Sequence, residues 1–362
     1  MKNTTMMRKM GATALALTLA VGLTACSGSG TGTTGSVSSA GSTIQTGGDV
    51  YKVGIVKFMD HASLDQIESS LQESLDALGA EKQVTFDYAD YTYNGQGDAS
   101  TLTQIAAQLI SDEVDVIVPI ATPAAQVMLA ALEDEEIPLV FSAVSDPITD
   151  GMVQSMEAPG VNVTGTSDAL NTEMIMNLML AVNPEIKSVG ILYSNSESSS
   201  TKPVQEAEAF LTEQGIQVVK KSGTTTDEVN SAVDALIDAK VDAIFTPTDN
   251  TVMQAELAIY EKLQEAGIPH YAGADSFALN GAFCGYGVNY VQLGQETAEM
   301  VSEVLVDGAD PATTPVRIMT GETATVNTET CEAIGLNLDD VKAAFSGLGI
   351  EVVETETAES FS

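Results

Sequence analysis

Few side chains in this 362-residue sequence could carry out catalysis. Its only histidines are His61 and His270, and neither lies near a nucleophile motif, so serine-type or cysteine-type catalysis lacks a base. Cys284 and Cys331 do not have metal-ligand spacing, and the sequence leaves open whether they form a disulfide or stay free thiols. Phosphate-binding glycine loops and zinc-protease motifs are absent from the sequence. We therefore expect a protein that is not an enzyme and that uses no cofactor or metal.

Polar residues that follow strand-like apolar runs are instead suited to holding a small molecule. Val114–Ile120 is such a run, and Thr122 and Pro123 after it fit the N-cap and first position of a helix. The backbone N–H groups of Ala124 and Ala125 would then be free to bind an anion such as a carboxylate. The alternative is a cap that serves only its own helix.

A second group of candidates lies near the neighbouring strand patterns. Ser142 and Val144 follow the apolar run 137–141, and we expect the Ser142 hydroxyl and the Val144 backbone to add contacts to the same carboxylate. His61 lies in the loop after the first strand pattern, where it could pack on the ligand or hydrogen-bond to it. Asp146 is interpreted as a turn cap.

Three aspartates are candidates to receive an ammonium group. Asp249 and its neighbour Asn250 follow a strand pattern, Asp275 follows the next one, and Asp168 lies at a predicted crossing between domains. A carboxylate that meets an ammonium in a dry cleft forms a strong charge-assisted hydrogen bond. Asp249 is the first choice because it lies at a strand-to-helix turn, although that position also fits a helix N-cap. The sequence does not decide among the three.

Aromatic partners for a ligand ring must come from Phe or Tyr, because the chain has no Trp. Phe58, Tyr193 and Tyr286 lie at or near predicted strand ends, although Phe58 fits the core equally well. Asn195 follows Tyr193 and offers a hydrogen bond to the ligand, or lies in an exposed loop.

These candidates can share one cleft only if parallel sheets position them. From Val50 onward, short apolar runs alternate with helical patterns, and the order then repeats. Val114-Asp-Val-Ile-Val-Pro119, for example, is echoed by Val241-Asp-Ala-Ile-Phe-Thr-Pro247. The duplicated βαβα pattern predicts an α/β protein of two similar Rossmann-like domains with parallel sheets. The carboxyl ends of both sets of strands should face one cleft.

The domain boundaries interleave because the chain is expected to cross between the domains. We predict a first domain of residues 50–165 plus about 288–315, and a second of 166–287 plus about 316–350. The crossings form a three-segment hinge, and residues 351–362 form an acidic tail.

The N-terminus has the features of a bacterial lipoprotein signal. Lys2, Arg8 and Lys9 precede an apolar stretch, which ends in Leu23-Thr-Ala-Cys26. This tetrapeptide fits a lipobox, so residues 1–25 should be removed and Cys26 lipidated. Residues 26–49, rich in Gly, Ser and Thr, should form a flexible tether. The expected location is extracytoplasmic, with a lipid anchor in the cell membrane.

The charge balance excludes one class of partner. The chain has 51 Asp and Glu against 14 Lys and Arg, a formal net charge of −37. Too few cations are available to neutralise phosphates, so we expect no nucleic acid. The acidity also opposes electrostatic attraction to anionic lipids. The expected contact with the membrane is therefore the lipid anchor on Cys26.

Several stretches carry a resemblance to a known family. They are His61-Ala-Ser-Leu-Asp65, Ile120-Ala-Thr-Pro-Ala-Ala-Gln126, Val140-Phe-Ser-Ala-Val-Ser-Asp-Pro147, Asn162-Val-Thr-Gly-Thr-Ser-Asp168, Thr246-Pro-Thr-Asp-Asn250 and Tyr286-Gly-Val-Asn-Tyr-Val-Gln-Leu-Gly294. Together they resemble the tryptophan/tyrosine-type substrate-binding proteins of ABC transporters, which have the type I periplasmic-binding-protein fold. The resemblance covers about residues 50–350. It implies an ABC permease and ATPase as partners, and an aromatic amino acid as the small-molecule ligand.

Other functions stay open at this point. A lipoprotein of the same fold could report its ligand to a membrane receptor, and the ligand could be another solute such as a nucleoside or a sugar. A repressor-type regulator of this fold would need a helix-turn-helix and a basic face, whereas this N-terminus has a signal and a tether.

Overall fold

The computed structural model describes residues 48–321 and 323–358. The predicted signal peptide, Cys26 and the tether up to residue 47 lie outside the described residues. Among the helices of the described part, none is both long and apolar enough to cross a membrane.

Two seven-stranded sheets form the centres of two lobes. Central strands such as Val116–Ile120 are buried along their whole length, as expected for parallel strands with helices packed against them. The strands are β1 (Val50–Lys57), β2 (Thr85–Asp87), β3 (Thr92–Asn94), β4 (Val116–Ile120), β5 (Leu139–Phe141), β6 (Val163–Ser167), β7 (Ser188–Tyr193), β8 (Gln217–Ser222), β9 (Ala243–Thr246), β10 (His270–Ala272), β11 (Cys284–Gly287), β12 (Arg317–Ile318), β13 (Thr323–Asn327) and β14 (Glu351–Thr355).

Helices connect most of the strands, and several begin at a capping side chain. Asp98, Asn171, Thr225 and Asn289 each accept a hydrogen bond from the backbone nitrogen three residues later. The helices are α1 (Ala62–Lys82), α2 (Ala99–Ser111), α3 (Thr122–Ala131), α4 (Thr172–Val182), α5 (Thr201–Glu213), α6 (Thr226–Asp238), α7 (Asn250–Ala266), α8 (Asp275–Leu279), α9 (Tyr290–Leu305), α10 (Thr328–Ala333) and α11 (Leu338–Ser346).

The two sheets repeat one strand order. The first runs β2-β1-β4-β5-β6-β12, with β3 also beside β1, and the second runs β8-β7-β9-β10-β11-β13-β14. The sequence-related strands β1 and β7, β4 and β9, and β5 and β10 therefore occupy equivalent places. The predicted duplication and the α/β fold class are confirmed. The sheets are parallel except for the pair of β11 and β13, which is antiparallel.

The chain passes between the lobes in three segments. The first follows β6, the second joins β11 to α9, and the third joins β12 to β13. The predicted three-segment hinge is therefore present. Open α/β lobes linked in this way can close on a ligand by a hinge motion.

Two parts of the domain prediction need correction. β12 pairs with β6, so residues 317–318 belong to the first sheet and the second lobe resumes after them. β14 pairs in parallel with β13 through five residues, from Glu351 to Thr355, so this part of the predicted acidic tail completes the second sheet. The sequence did not indicate this strand because it lies at the sheet edge and has no buried residue, and two of its five residues are glutamates.

Helix α9 returns to the first lobe and packs closely on α1. A Cβ atom at Gly294 would lie 2.1 Å from Ser70 Oγ and 2.6 Å from the Ile67 carbonyl oxygen, so only glycine allows this approach. The contact matters for function because it holds α1, whose first turn reaches the cleft between the lobes.

Candidate functional site

The carboxyl ends of the strands of both sheets enclose a cavity between the lobes. The space between its lining atoms, part of which is open to solvent, is about 380 Å³. The lining comprises His61, Ser63, Leu64, Ala121, Thr122, Ala143, Ser145 and Asp168 from the first lobe, Ser199, Thr248, Asp249, Asn250, Met253, Ala274 and Phe277 from the second, and Tyr290 at the start of α9. Five of the predicted residues are among them: His61, Thr122, Asp168, Asp249 and Asn250.

The start of α3 differs in detail from the prediction. The N-cap is Ala121, which has a φ of 80° and makes no side-chain cap bond, so the assignment of Thr122 as N-cap is wrong. The Ala125 nitrogen donates to the Ala121 oxygen at 3.1 Å and is not free. Within the described residues, the Thr122 and Ala124 nitrogens have no protein acceptor, and the Thr122 hydroxyl is buried without a partner. Two N–H groups and one hydroxyl are thus available at this helix end.

The remaining residues of that helix start do not line the cavity. Pro123 lies instead on a wider groove outside it, together with Phe58. The side chains of Ala124 and Ala125 are fully buried in the core of the first lobe.

Ser142 and Val144, the two residues predicted to contact the ligand after β5, instead form hydrogen bonds within the first lobe. The Ser142 hydroxyl lies 2.9 Å from Thr297 Oγ1 of α9 inside the lobe. The Val144 nitrogen donates to the Thr166 oxygen at 3.3 Å. Their neighbours Ala143 and Ser145 line the cavity instead. A turn with Ala143 at a φ of 56° causes this alternation, and such a conformation is uncommon for a residue other than glycine.

Asp168 is a buried acid with one side-chain partner. Its Oδ1 atom accepts a hydrogen bond from Ser145 Oγ at 2.9 Å. Burial raises the pKa of Asp168, because few groups stabilise its charge. A cationic group in the cavity would supply the missing compensation.

Asp249 lines the cavity but serves the second lobe. Its carboxylate accepts hydrogen bonds from Ser194 N and Ser200 Oγ, both at 2.6 Å, and from Val252 N at 3.0 Å. It therefore caps α7, which was the alternative reading of the sequence. Burial first, and then the charge of Glu197, raises the pKa of Asp249.

Asp275 is the first residue of α8 and is not among the lining residues. Its Oδ1 atom is buried and has no hydrogen-bond partner among residues 48–321 and 323–358, and burial raises its pKa to about 6. The charges of Asp168 and Asp275, after burial, contribute to raising the pKa of Tyr290, so the two acids lie near this phenol.

A hydrogen-bonded chain joins the lobes on the other side of the cavity. His61 Nε2 lies 2.9 Å from Asn250 Oδ1, and Asn250 Nδ2 donates to Glu197 Oε2 at 2.6 Å. Burial lowers the pKa of His61 to about 4, so the imidazole is neutral at neutral pH. Glu197 was not anticipated from the sequence.

Three predicted residues lie away from the cavity. Tyr193 is half-buried against the core of the second lobe, and Asn195 is exposed. Tyr286 is buried in the same core, where its hydroxyl donates to the Gly321 oxygen at 2.6 Å. The aromatic residues of the cavity are Phe277 and Tyr290, which lie at helix starts just after strands.

The cavity combines apolar walls with unpaired polar atoms. Leu64, Met253 and Phe277 supply apolar surface. Four buried polar atoms of its lining have no partner within the part of the chain that the structure describes: His61 Nδ1, Thr122 Oγ1, Ser199 Oγ and Thr248 Oγ1. Buried polar atoms are normally paired, so this set is the pattern of a site that a ligand completes. Within the described residues, no group of three His, Cys, Asp or Glu side chains could hold a metal ion.

Comparison with known proteins identifies the class. Residues 52–344 match the family model described as ABC transporter substrate binding protein. A tyrosine-binding protein of Clostridioides difficile (strain R20291) is 31% identical over 295 residues, which are 80% of this chain and 83% of that protein. The chain therefore belongs to the ABC transporter substrate-binding family, as the sequence resemblance predicted. It is a solute-binding protein of an ABC transporter and not an enzyme.

Two solved structures bear on its conformation. A Streptococcus pneumonia ABC domain in complex with L-Trp has 31% identity and a TM-score of 0.75, over 84% of this chain and 100% of that chain. A ligand-free, open substrate-binding protein from Clostridium difficile, with adhesive properties, has the same identity and coverage but a TM-score of 0.63. The lobes here thus match the ligand-bound arrangement better than the open one.

Contacts across the cleft agree with a closed arrangement. Besides the bond of His61 to Asn250, Gln126 Nε2 donates to Ser198 Oγ at 3.0 Å. Lys202 Nζ lies 3.2 Å from Asp146 Oδ2. Asp146 therefore pairs across the cleft in addition to capping its own turn at Thr149.

Proposed function

We propose that this protein binds an aromatic amino acid in the interlobe cavity and delivers it to an ABC importer. The observation that carries the proposal is the composition of the cavity: a buried acid, a helix start with free N–H groups and an apolar wall. An amino acid presents an ammonium, a carboxylate and a side chain, so each group of the ligand has a counterpart.

The carboxylate is assigned to the start of α3. In the described part of the chain, the nitrogens of Thr122 and Ala124 have no acceptor, and the Thr122 hydroxyl has no partner. The positive end of the helix dipole adds to the attraction for an anion. Ala121 N is not part of this group, because it donates to the Ser142 oxygen at 2.9 Å.

The ammonium is assigned to Asp168. Among the described residues, this carboxylate has a single side-chain donor, Ser145, whereas Asp249 already accepts three hydrogen bonds. The strands that precede Thr122 and Asp168 are separated by β5 alone in the first sheet. At the usual strand spacing the two positions are about 10 Å apart, a span that a zwitterionic head group with its hydrogen bonds can bridge.

The ring is assigned to the apolar wall. Phe277 and Tyr290 can meet an aromatic ring edge-to-face or in an offset stack, and Leu64 and Met253 fill the remaining surface. The tyrosine-binding relative and the L-Trp complex support an aromatic ligand over an aliphatic one.

The membrane attachment is proposed from the sequence. Leu23-Thr-Ala-Cys26 supports lipidation of Cys26, and the Gly/Ser/Thr-rich residues after it support a tether that lets the lobes reach the transporter.

A thermal-shift screen tests the ligand class. The twenty amino acids, nucleosides, sugars and short peptides would be added singly to the purified protein. A ligand that binds only the folded state stabilises it by about 2.7 kcal/mol at a hundredfold excess over Kd. We expect tyrosine or tryptophan to raise the melting temperature most. A nucleoside or sugar that does so while all amino acids fail would contradict the proposal.

A further inference from the structure

We propose that His61 selects aromatic ligands that carry a hydrogen-bond donor on the ring, and that Glu197 and Asn250 position it as the acceptor. The inference rests on the proposed function and adds to it a residue that distinguishes tyrosine and tryptophan from phenylalanine.

Glu197 fixes the orientation of the Asn250 amide. Its Oε2 atom accepts from Asn250 N at 3.1 Å and from Asn250 Nδ2 at 2.6 Å. Its Oε1 atom accepts from Thr251 N and Thr251 Oγ1, both at 2.8 Å. With four donors on it, the carboxylate acts only as an acceptor, so the amide atom that faces it must be the NH₂ group.

The amide in turn fixes the tautomer of His61. Since Nδ2 of Asn250 faces Glu197, Oδ1 is the atom that lies 2.9 Å from His61 Nε2. An amide oxygen can only accept, so Nε2 carries the hydrogen. The buried ring is neutral, with its pKa lowered to about 4, and its Nδ1 atom therefore presents a lone pair.

That lone pair is an unused acceptor. Nδ1 is buried and has no hydrogen-bond partner in the described residues, and His61 lines the cavity. A neutral acceptor is the weaker choice for the ammonium, which the acidic side of the cavity attracts. In the first sheet, the strands before His61 and Asp168 are three places apart, about 14 Å at the usual spacing. His61 is therefore far from the ammonium, and the first turn of its helix adjoins the apolar wall, because the Ser63 hydroxyl contacts that of Ser276, next to Phe277. We assign the polar end of an aromatic side chain to this position.

Ligands differ in what they bring to this position. The tyrosine hydroxyl and the tryptophan indole N–H are both donors, whereas phenylalanine has none. When phenylalanine is bound, the buried Nδ1 atom of His61 would have no hydrogen-bond donor from the ligand or from water. Sites built around such a hydrogen bond reject the analogue that lacks it more strongly than apolar pockets distinguish sizes.

Calorimetric titrations with L-tyrosine, L-tryptophan and L-phenylalanine test the selection. For the natural protein we expect phenylalanine to bind about ten- to a hundredfold more weakly than tyrosine. His61→Phe keeps the ring and removes the acceptor, so the preference for tyrosine should fall to within about threefold. Asn250→Leu keeps the volume of the amide but frees the tautomer, and it should reduce the preference partially.

Gln126→Leu is the matched control. It removes another hydrogen bond between the lobes, that of Gln126 to Ser198, at a residue that does not line the cavity. A general effect on closure should weaken all three ligands by the same factor. The tyrosine-to-phenylalanine ratio should therefore stay at the natural value in this variant.

The tautomer can be measured without any ligand. The chain has two histidines, and both ring nitrogens of His270 have protein partners, so the two rings are readily assigned by ¹⁵N NMR with His270→Gln as reference. We expect a protonated Nε2 and an unprotonated Nδ1 in His61 at neutral pH. In Asn250→Leu the two tautomers should mix.

The outcomes separate this inference from the proposed function. Equal affinity for tyrosine and phenylalanine in the natural protein, an unchanged ratio in His61→Phe, or a protonated Nδ1 would overturn the role of His61 and leave aromatic binding standing. If none of the three amino acids binds the natural protein, the proposed function fails and the selection fails with it.

Discussion

The carboxylate of Asp249 accepts a hydrogen bond from the backbone nitrogen of Ser194 at 2.6 Å and so joins the end of β7 to the start of α7. Ser200 and Val252 donate to the same carboxylate. Asp249, which the sequence favours as the ammonium partner, therefore mainly stabilises the second lobe.

Replacement of Asp249 should lower stability as well as binding. Asp249→Ala removes a helix cap and leaves buried donors unpaired, so we expect a loss of about 2–4 kcal/mol in the free energy of unfolding. Denaturant unfolding of the ligand-free protein measures this. Asp98→Ala, which removes the exposed cap of α2, should cost less. Equal losses in the two variants would show that the burial of Asp249 is unimportant.

Asp168→Asn should weaken ligand binding without lowering the stability of the ligand-free protein. The buried charge has one side-chain donor, so its removal should leave the ligand-free protein as stable or slightly more stable. Binding of tyrosine should weaken by at least about tenfold, because the ammonium loses its charged partner. Thermal unfolding with and without ligand gives both quantities. Asp275→Asn, a buried acid outside the lining, is the control and should keep more of the ligand-induced shift.

The sequence predicted the fold and the location of the cleft well, because both depend on patterns along the chain. Alternating strand and helix patterns, repeated once, require two similar sheets, and their strand ends must face a common cleft. Residues directly after strands, such as His61, Thr122 and Asp168, therefore lie where expected.

The direction in which each side chain points could not be predicted from these sequence patterns. Ser142 and Ser145 are both near the end of β5, yet the turn at Ala143 directs the first toward Thr297 and the second toward the cavity. Tyr286 lies within β11 and points into the core of the second lobe, whereas Tyr290 begins α9 and reaches the cavity. These choices depend on local backbone angles and on closure of the lobes.

Ligand affinity should fall on acidification through His61. Burial, the largest influence, lowers its pKa from 6.5 to about 4 when the lobes are closed, while opening exposes the ring and restores its usual value. Between these values the open form binds a proton that the closed form does not, so closure weakens by up to about tenfold per pH unit below 6.5. Above that pH the ring contributes no dependence.

Titrations of tyrosine between about pH 5 and 8 test this dependence. Asp275, with its pKa raised to about 6, also titrates in this range, so the comparison with His61→Phe isolates the imidazole. The natural protein should lose more affinity than the variant as the pH falls. Parallel pH profiles would exclude the imidazole as the source.

Cys26 should determine membrane attachment. Cys26→Ser removes the thiol that is lipidated, so we expect the protein to move from the membrane pellet to the soluble fraction. Cys331→Ser, at a buried position in the second lobe, should remain in the pellet. If the Cys26 variant still pellets after a high-salt wash, another segment attaches the protein.

Calorimetric titration of the purified natural protein tests the central claim most directly. L-tyrosine and L-tryptophan would be compared with L-leucine, adenosine and ribose under one set of conditions. An aromatic amino acid should bind with one-to-one stoichiometry and at least about a hundredfold more tightly than leucine, because the aromatic ring fills the apolar wall and makes a polar contact that leucine cannot. Tighter binding of adenosine or ribose, or no binding of either aromatic amino acid, would contradict the account.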